Sequence, residues 1–244
     1  MTSASPTRYL LDVAPDAAQL ARRCAERVAS LIDLALDERD RAQVALSGGS
    51  TPAAAYRLLN AEHLPWNRVD VVLGDERWVA PDDPASNARM LHETLLAQGP
   101  ASQACFYPVP TERQTPLASA EAFELIVRQL GSGDPPVLDL ILLGLGDDGH
   151  TASLFPGSAA AGITDRAVAV GEGKGLERIT LTAPVLSAAR QVILLVSGTG
   201  KQEALRRLLD PQESPLRTPA KLVQPSRPVI ILADAAAAGL VAGA

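Results

Sequence analysis

The chain has 244 residues, 47% of them hydrophobic, 20% charged and only 3% aromatic, with a formal net charge of −6. At this length folding removes roughly 70–75% of the unfolded chain's surface from water, so a core forms without disulfides or metal. The acidic balance excludes a basic footprint for nucleic acid over the whole surface, and any bound anion must be captured locally.

No run of eighteen apolar residues occurs, and the opening MTSASPTRYL has no basic segment leading into an apolar one. No membrane span or export signal is therefore expected, and the chain reads as cytoplasmic. Cys24 and Cys105 form no CxxC pair and read as reduced thiols.

After a polar start over residues 1–7, expected to be frayed, Tyr9–Val13 reads as a strand. Pro15 then opens a helix of about twenty residues, with Leu20, Cys24, Val28, Leu31, Ile32 and Ala35 on one face. Val44–Leu46 runs into SGGS, and Pro52 falls in the first turn of the next helix. The same order of strand, glycine-rich turn and helix is expected three more times: Val69–Leu73 into GDERW, Leu138–Leu143 into GLGDDGH, and Val192–Val196 into SGTGKQEALRRLL. Helices are expected over Asn87–Leu96 and Ala118–Leu130. Ala167–Val170 and Arg178–Thr182, joined by GEGKGLE, read as a small antiparallel excursion near 166–183, and Val229–Leu232 as the last strand before an alanine-rich terminal helix. Short apolar runs alternating with helices specify an α/β fold, a doubly wound, mostly parallel sheet flanked by helices. No solenoid repeat or long linker divides the chain, so residues 1–244 are expected to be a single domain.

In such sheets ligands bind beyond the carboxyl ends of the strands. SGGSTP at 47–52 puts small residues before a helix, where backbone amides and the helix dipole favour an anion such as a sugar phosphate. GLGDDG at 144–149 satisfies the G-x-G-x-x-G dinucleotide pattern, but Asp147 and Asp148 stand where a pyrophosphate would sit and FPG at 155–157 interrupts any helix. GTGKQ at 198–202 lacks the full phosphate-loop spacing. Lys201, in the first turn of a helix, is better explained by an anionic ligand than by helix stability. Asp75, Glu76 and Arg77 follow a strand, where opposite charges orient one another or a substrate. His150, beside Asp148 at a strand end, has the chemistry to take and return a proton. His63 and His92 read as incidental. A single histidine with neighbouring carboxylates has no zinc-site spacing, and no metal is expected.

Taken together, ALSGGSTP at 45–52, GDERWV at 74–79, SNARM at 86–90, LLGLGDDGHTASLFPG at 142–157, RITLTAPVL at 178–186 and SGTGKQEAL at 197–205 resemble the 6-phosphogluconolactonases. The resemblance implies hydrolysis of 6-phospho-D-glucono-1,5-lactone to 6-phospho-D-gluconate in the oxidative pentose phosphate pathway, without a cofactor. It also implies a fold shared with glucosamine-6-phosphate isomerase/deaminases, the alternative enzymatic reading. Those enzymes carry an acidic residue where this chain has Phe155 in HTASLFP. The loop before RITLT reads GKGLE where the lactonases have a KPP-like stretch, so no role is carried over to Lys174.

The resemblance and the loop chemistry together suggest a division of labour. Gly48, Gly49, Ser50 and Thr51 would cradle the phosphate with Lys201 and Arg178, and Asn87 and Arg89 would contact substrate. His150 would be general base, Arg77 would neutralise charge on the carbonyl oxygen, and Asp148 or Asp75 would orient these groups. The expected partner is a small sugar-phosphate lactone, with no nucleic acid or membrane, for a monomer or weak homo-oligomer. A noncatalytic sugar-phosphate-binding regulator is the remaining alternative. Such a protein would carry a DNA-binding domain, for which there is no room before Tyr9, and would not need His150.

Overall fold

The computed structural model describes residues 8–241, and the start expected to be frayed, residues 1–7, lies outside them. Strand β1 (Tyr9–Ala14) leads into α1 (Ala17–Glu38), whose first turn is capped by the Asp16 carboxylate accepting from the Gln19 amide at 2.8 Å. The inner stripe of α1 buries Leu20, Cys24, Val28, Ile32 and Ala35, while Leu31 is half-buried. Burial pushes the Cys24 thiol up to about 12, so it acts as a packing group. The chain continues through β2 (Ala42–Leu46), α2 (Ser50–Leu59), β3 (Val69–Leu73), β4 (Asp75–Arg77) and α3 (Asn87–Leu91), which widens into a π-helical turn over His92–Leu96. Next come β5 (Cys105–Phe106), α4 (Pro116–Leu130), β6 (Leu140–Gly144), β7 (Val168–Gly173), β8 (Leu176–Leu181) and α5 (Ala183–Ala188). The remaining elements are β9 (Gln191–Val196), α6 (Gln202–Leu209), β10 (Val229–Asp234) and α7 (Ala235–Ala238).

Seven strands form a parallel sheet in the order β1-β10-β9-β6-β2-β3-β5. Its two faces pack against separate cores because strand side chains alternate. Val44, Leu46, Leu140, Leu142, Ile193 and Leu195 join the core under α1 and α2. Ala45, Ile141, Leu143, Val192, Leu194 and Val196 join the core under α4, α5 and α6. From β2 the chain winds outward to β3 and β5, then returns to β6 and winds the other way. The crevice between the carboxyl ends of β2 and β6 is therefore the topological switch point, where open α/β sheets place their ligands.

The doubly wound class matches the expectation from sequence, but three segments differ. GDERW does not turn into a helix: Asp75–Arg77 pairs antiparallel with β8, making the small excursion a three-stranded sheet in the order β4-β8-β7. Those pairings supply the backbone partners a helix would have supplied, and helix is deferred to Asn87, where Ser86 caps the Arg89 amide. GLGDDGH likewise runs into successive turns, with Gly149 at φ +93°, rather than a helix. Among the described residues the terminal helix covers Ala235–Ala238 and stops at Gly239, and the last part of the expected helix, residues 242–244, lies outside them.

One buried group fixes the first glycine-rich turn. The Tyr56 hydroxyl, on α2, accepts from the Ser47 amide at 3.0 Å and donates to the Ser47 carbonyl at 2.8 Å. Tyr56→Phe leaves both backbone groups without a partner and is expected to lower stability by about 1–3 kcal/mol, measured by urea denaturation.

Candidate active site

The floor of the site is the turn after β2. Gly49, at φ +112°, ends the extended chain and starts α2, whose first amides belong to Ser50 and Thr51. At Gly48 a Cβ would lie 1.8 Å from the Asn87 side-chain oxygen, so glycine there admits Asn87, which donates to the Asp75 carbonyl at 2.9 Å. Opposite, the SGTGK turn after β9 is tied down by buried Asp234, which accepts from the Ser197 hydroxyl at 2.5 Å and the Gly198 amide at 3.1 Å. Lys201 stands in the single turn that precedes α6.

The small sheet supplies a cationic wall. Register places Arg77 directly across from Arg178, two like charges that repel unless an anion lies between them or a carboxylate offsets them. Asp75 is that carboxylate in part: it is buried, accepts from the Ser153 hydroxyl at 2.5 Å, and lies 3.6 Å from the Arg178 guanidinium. Burial pulls the Arg178 pKa down, Asp75 opposes this, and Arg77 adds to it. Arg77 donates to the Ala85 carbonyl at 2.6 Å, while its buried Nε has no partner among the described residues. Glu76 is fully engaged elsewhere, accepting from the amides of Arg77, Asn87 and Ala88, each at 2.7 Å, and so fixing the start of α3. Burial raises its pKa against those three donors.

His150 faces this wall from the turn after β6. Its Nδ1 lies 2.5 Å from Asp148 Oδ1, which also accepts from the His150 amide at 3.0 Å. At Gly146 a Cβ would come within 2.0 Å of Nδ1, so only glycine lets the imidazole lie over this turn. Burial lowers the His150 pKa against the upward pull of Asp148. For Asp148, burial acts upward, but the hydrogen bonds from His150 prevail and leave it below the ordinary carboxylate range. Burial thus favours the neutral imidazole, and in that form a carboxylate partner at Nδ1 favours the tautomer that leaves Nε2 as a proton acceptor.

Gly48, Gly49, Ser50, Thr51, Asp75, Arg77, Asn87, His150, Arg178 and Lys201 all line one cleft of about 250 Å³, with Asp148 behind His150. Arg89 is not brought to it. Its guanidinium pairs with Glu93 at 2.8 Å and donates to the Asp82 carbonyl at 2.6 Å, the i, i+4 helix pair available to it on α3. Lys174, to which the sequence assigned no role, does line the cleft. It forms with Gly175 a two-residue hairpin turn in which both residues have positive φ, and its ammonium lies 3.7 Å from Asp147. Lys174 in turn holds the Asp147 carboxyl below its usual range. Ser47 and Ser197 also reach the cleft, and the Ser47 hydroxyl has no partner among the described residues. A glycine-rich string signals its backbone, not which flanking hydroxyl remains free. No cluster of three His, Cys, Asp or Glu side chains among the described residues is arranged to hold a metal, and no described helix is long and apolar enough to cross a membrane.

A cleft lined by cations, backbone amides and a carboxylate-anchored histidine thus lies at the switch point of a doubly wound, mostly parallel sheet. The family model described as glucosamine-6-phosphate isomerases/6-phosphogluconolactonase matches residues 15–232. The chain is 42% identical over 210 residues to a 6-phosphogluconolactonase of Synechocystis, covering 85% of this chain and 88% of that one. It is 38% identical over 230 residues to one of Nostoc, covering 93% and 96%. The solved 6-phosphogluconolactonase from Trypanosoma brucei superposes with a TM-score of 0.86 at 30% identity, covering 98% of this chain and 100% of that one. The chain belongs to the glucosamine-6-phosphate isomerase/6-phosphogluconolactonase family.

Because Asp148 raises the His150 pKa, Asp148→Asn is expected to lower it further. An NMR titration of the His150 ring protons reads this directly, and an upward or absent shift would contradict the pairing.

Proposed function

We propose that the protein hydrolyses 6-phospho-D-glucono-1,5-lactone to 6-phospho-D-gluconate, with His150 as general base. The observation that carries this reading is the imidazole tied at Nδ1 to Asp148 in the same cleft as Arg77, Arg178, Lys201 and the amino end of α2. The names of the curated relatives and of the superposed structure support the same reaction.

The phosphoryl group would rest on the amides that open α2 and on the Ser50 and Thr51 hydroxyls, with Lys201 and Arg178 neutralising it. The lactone carbonyl then lies toward Arg77 and His150. Nε2 takes a proton from water as its oxygen bonds to C1, and Arg77 stabilises the oxyanion that forms. When that intermediate collapses, the C1–O5 bond breaks and the imidazolium returns the proton to O5. The new carboxylic acid ionises at neutral pH, and the carboxylate leaves a cleft rich in cations. A lactone is an activated ester, so this assistance suffices without a nucleophilic side chain or cofactor. The aldose–ketose alternative is less favoured, because the side chain packed on His150 is Phe155 and not a second carboxylate.

His150→Ala is expected to reduce kcat about 10²–10⁴-fold above the spontaneous rate while product affinity stays near normal. An acid-release assay with fresh lactone measures it, and unchanged turnover would refute the base assignment. Lys201→Ala is expected to raise KM for the phosphorylated lactone about tenfold or more, as for a lost charge-assisted hydrogen bond. An equal loss on the dephosphorylated lactone would place Lys201 elsewhere.

A further inference from the structure

We infer that Phe155 is a positioning residue for His150 and that it couples the β7–β8 hairpin to the base. One ring makes three contacts. Its centroid lies 4.2 Å from that of the His150 imidazole, with 32° between the planes. The Arg178 guanidinium carbon lies 5.4 Å from its centroid, within cation–π range. The ring also rests on the backbone of Gly173, where a Cβ would fall 2.1 Å from Cε2. Gly173 immediately precedes Lys174 at the tip of the hairpin.

These contacts do something that Asp148 alone does not. The bond at Nδ1 leaves the imidazole able to tilt through coupled changes of χ1 and χ2, which would carry Nε2 off the attack path. A tilted aromatic face at 4.2 Å blocks that movement and keeps water off one side of the base. Because the same ring is seated on Gly173 and against Arg178, a shift of the hairpin moves the ring, and the ring moves the imidazole.

The inference rests on the acid–base role proposed for His150, so its test begins with a measurement that needs no substrate. The charged groups acting on the imidazole are Asp148 and Asp75, which raise its pKa, and Lys174, which lowers it; none of the three is substituted in the variants. Phe155→Leu keeps an apolar side chain but removes the aromatic face, and Gly173→Ala displaces the ring from outside the catalytic groups. In both, NMR titration of His150 is expected to move to higher pH as water reaches the imidazole. The acid limb of the kcat/KM profile should move with it. Lactone turnover is expected to fall about 10–100-fold in kcat, the cost of a misplaced catalytic group, with KM within about twofold. Phe155→Tyr, which keeps the ring, should restore the titration and most of kcat. A folded Phe155→Leu or Gly173→Ala protein with an unmoved titration and unchanged kcat overturns the inference. A moved titration in a protein whose unaltered form has no lactonase turnover would count against the reaction, and would leave the coupling of hairpin to imidazole standing.

Discussion

The carboxylate of Asp75 joins the two sheets at the place where the cleft forms. Asp75 follows β3 of the large sheet after one glycine, pairs with Thr180 in the small sheet, receives the Ser153 hydroxyl, faces Arg178, and offers its carbonyl to Asn87. Those partners come from three separate stretches of chain: strand β8, the turn after β6 and the start of α3. Neutralising or shortening that carboxylate would loosen the turn after β6 and the cationic wall together, since Ser153 and Arg178 share it.

The same logic recurs under the other segments that line or support the cleft. Tyr56 holds the SGGS turn, Asp234 the SGTG turn, Glu76 the first amides of α3, and Asp148 the imidazole. Around the cleft, the carboxylates of Asp75, Glu76, Asp148 and Asp234 are each engaged as hydrogen-bond acceptors, and the rest of the lining offers cations, amides and hydroxyls. The net charge of −6 and the affinity for a small anion proposed above are compatible because the carboxylates nearest the cleft are already engaged with donors.

The strands of the large sheet other than the two-residue β5, the SGGS and SGTG turns and the nearness of His150 to Asp148 were legible in the sequence because each obeys a local rule: buried apolar runs, small residues before a helix, and a short loop at a strand end. What escaped reading depends on distant partners. The short, wholly charged Asp75–Arg77 has no alternation to mark it as a strand, and its pairing with β8 lies about a hundred residues on. Ser153 is indistinguishable in sequence from any serine in a turn until Asp75 is beside it. Arg89 carried a usable signal, the glutamate four residues later, that favours a surface pair over a substrate contact. Lys174 sits at positive φ in a turn where asparagine or glycine would be usual, so no turn preference pointed to it.

Gly146 shows how one pattern can serve two kinds of chemistry. In a dinucleotide fold the second glycine of G-x-G-x-x-G lets a pyrophosphate approach the backbone; here the space above the same glycine is taken by an imidazole and its carboxylate. The spacing records a demand for an uncrowded peptide at a strand end, whatever comes to lie on it. A search by that spacing alone therefore groups this chain with nucleotide binders for a steric reason, and the two aspartates inside the string are what separate a seat for a base from a seat for an anion.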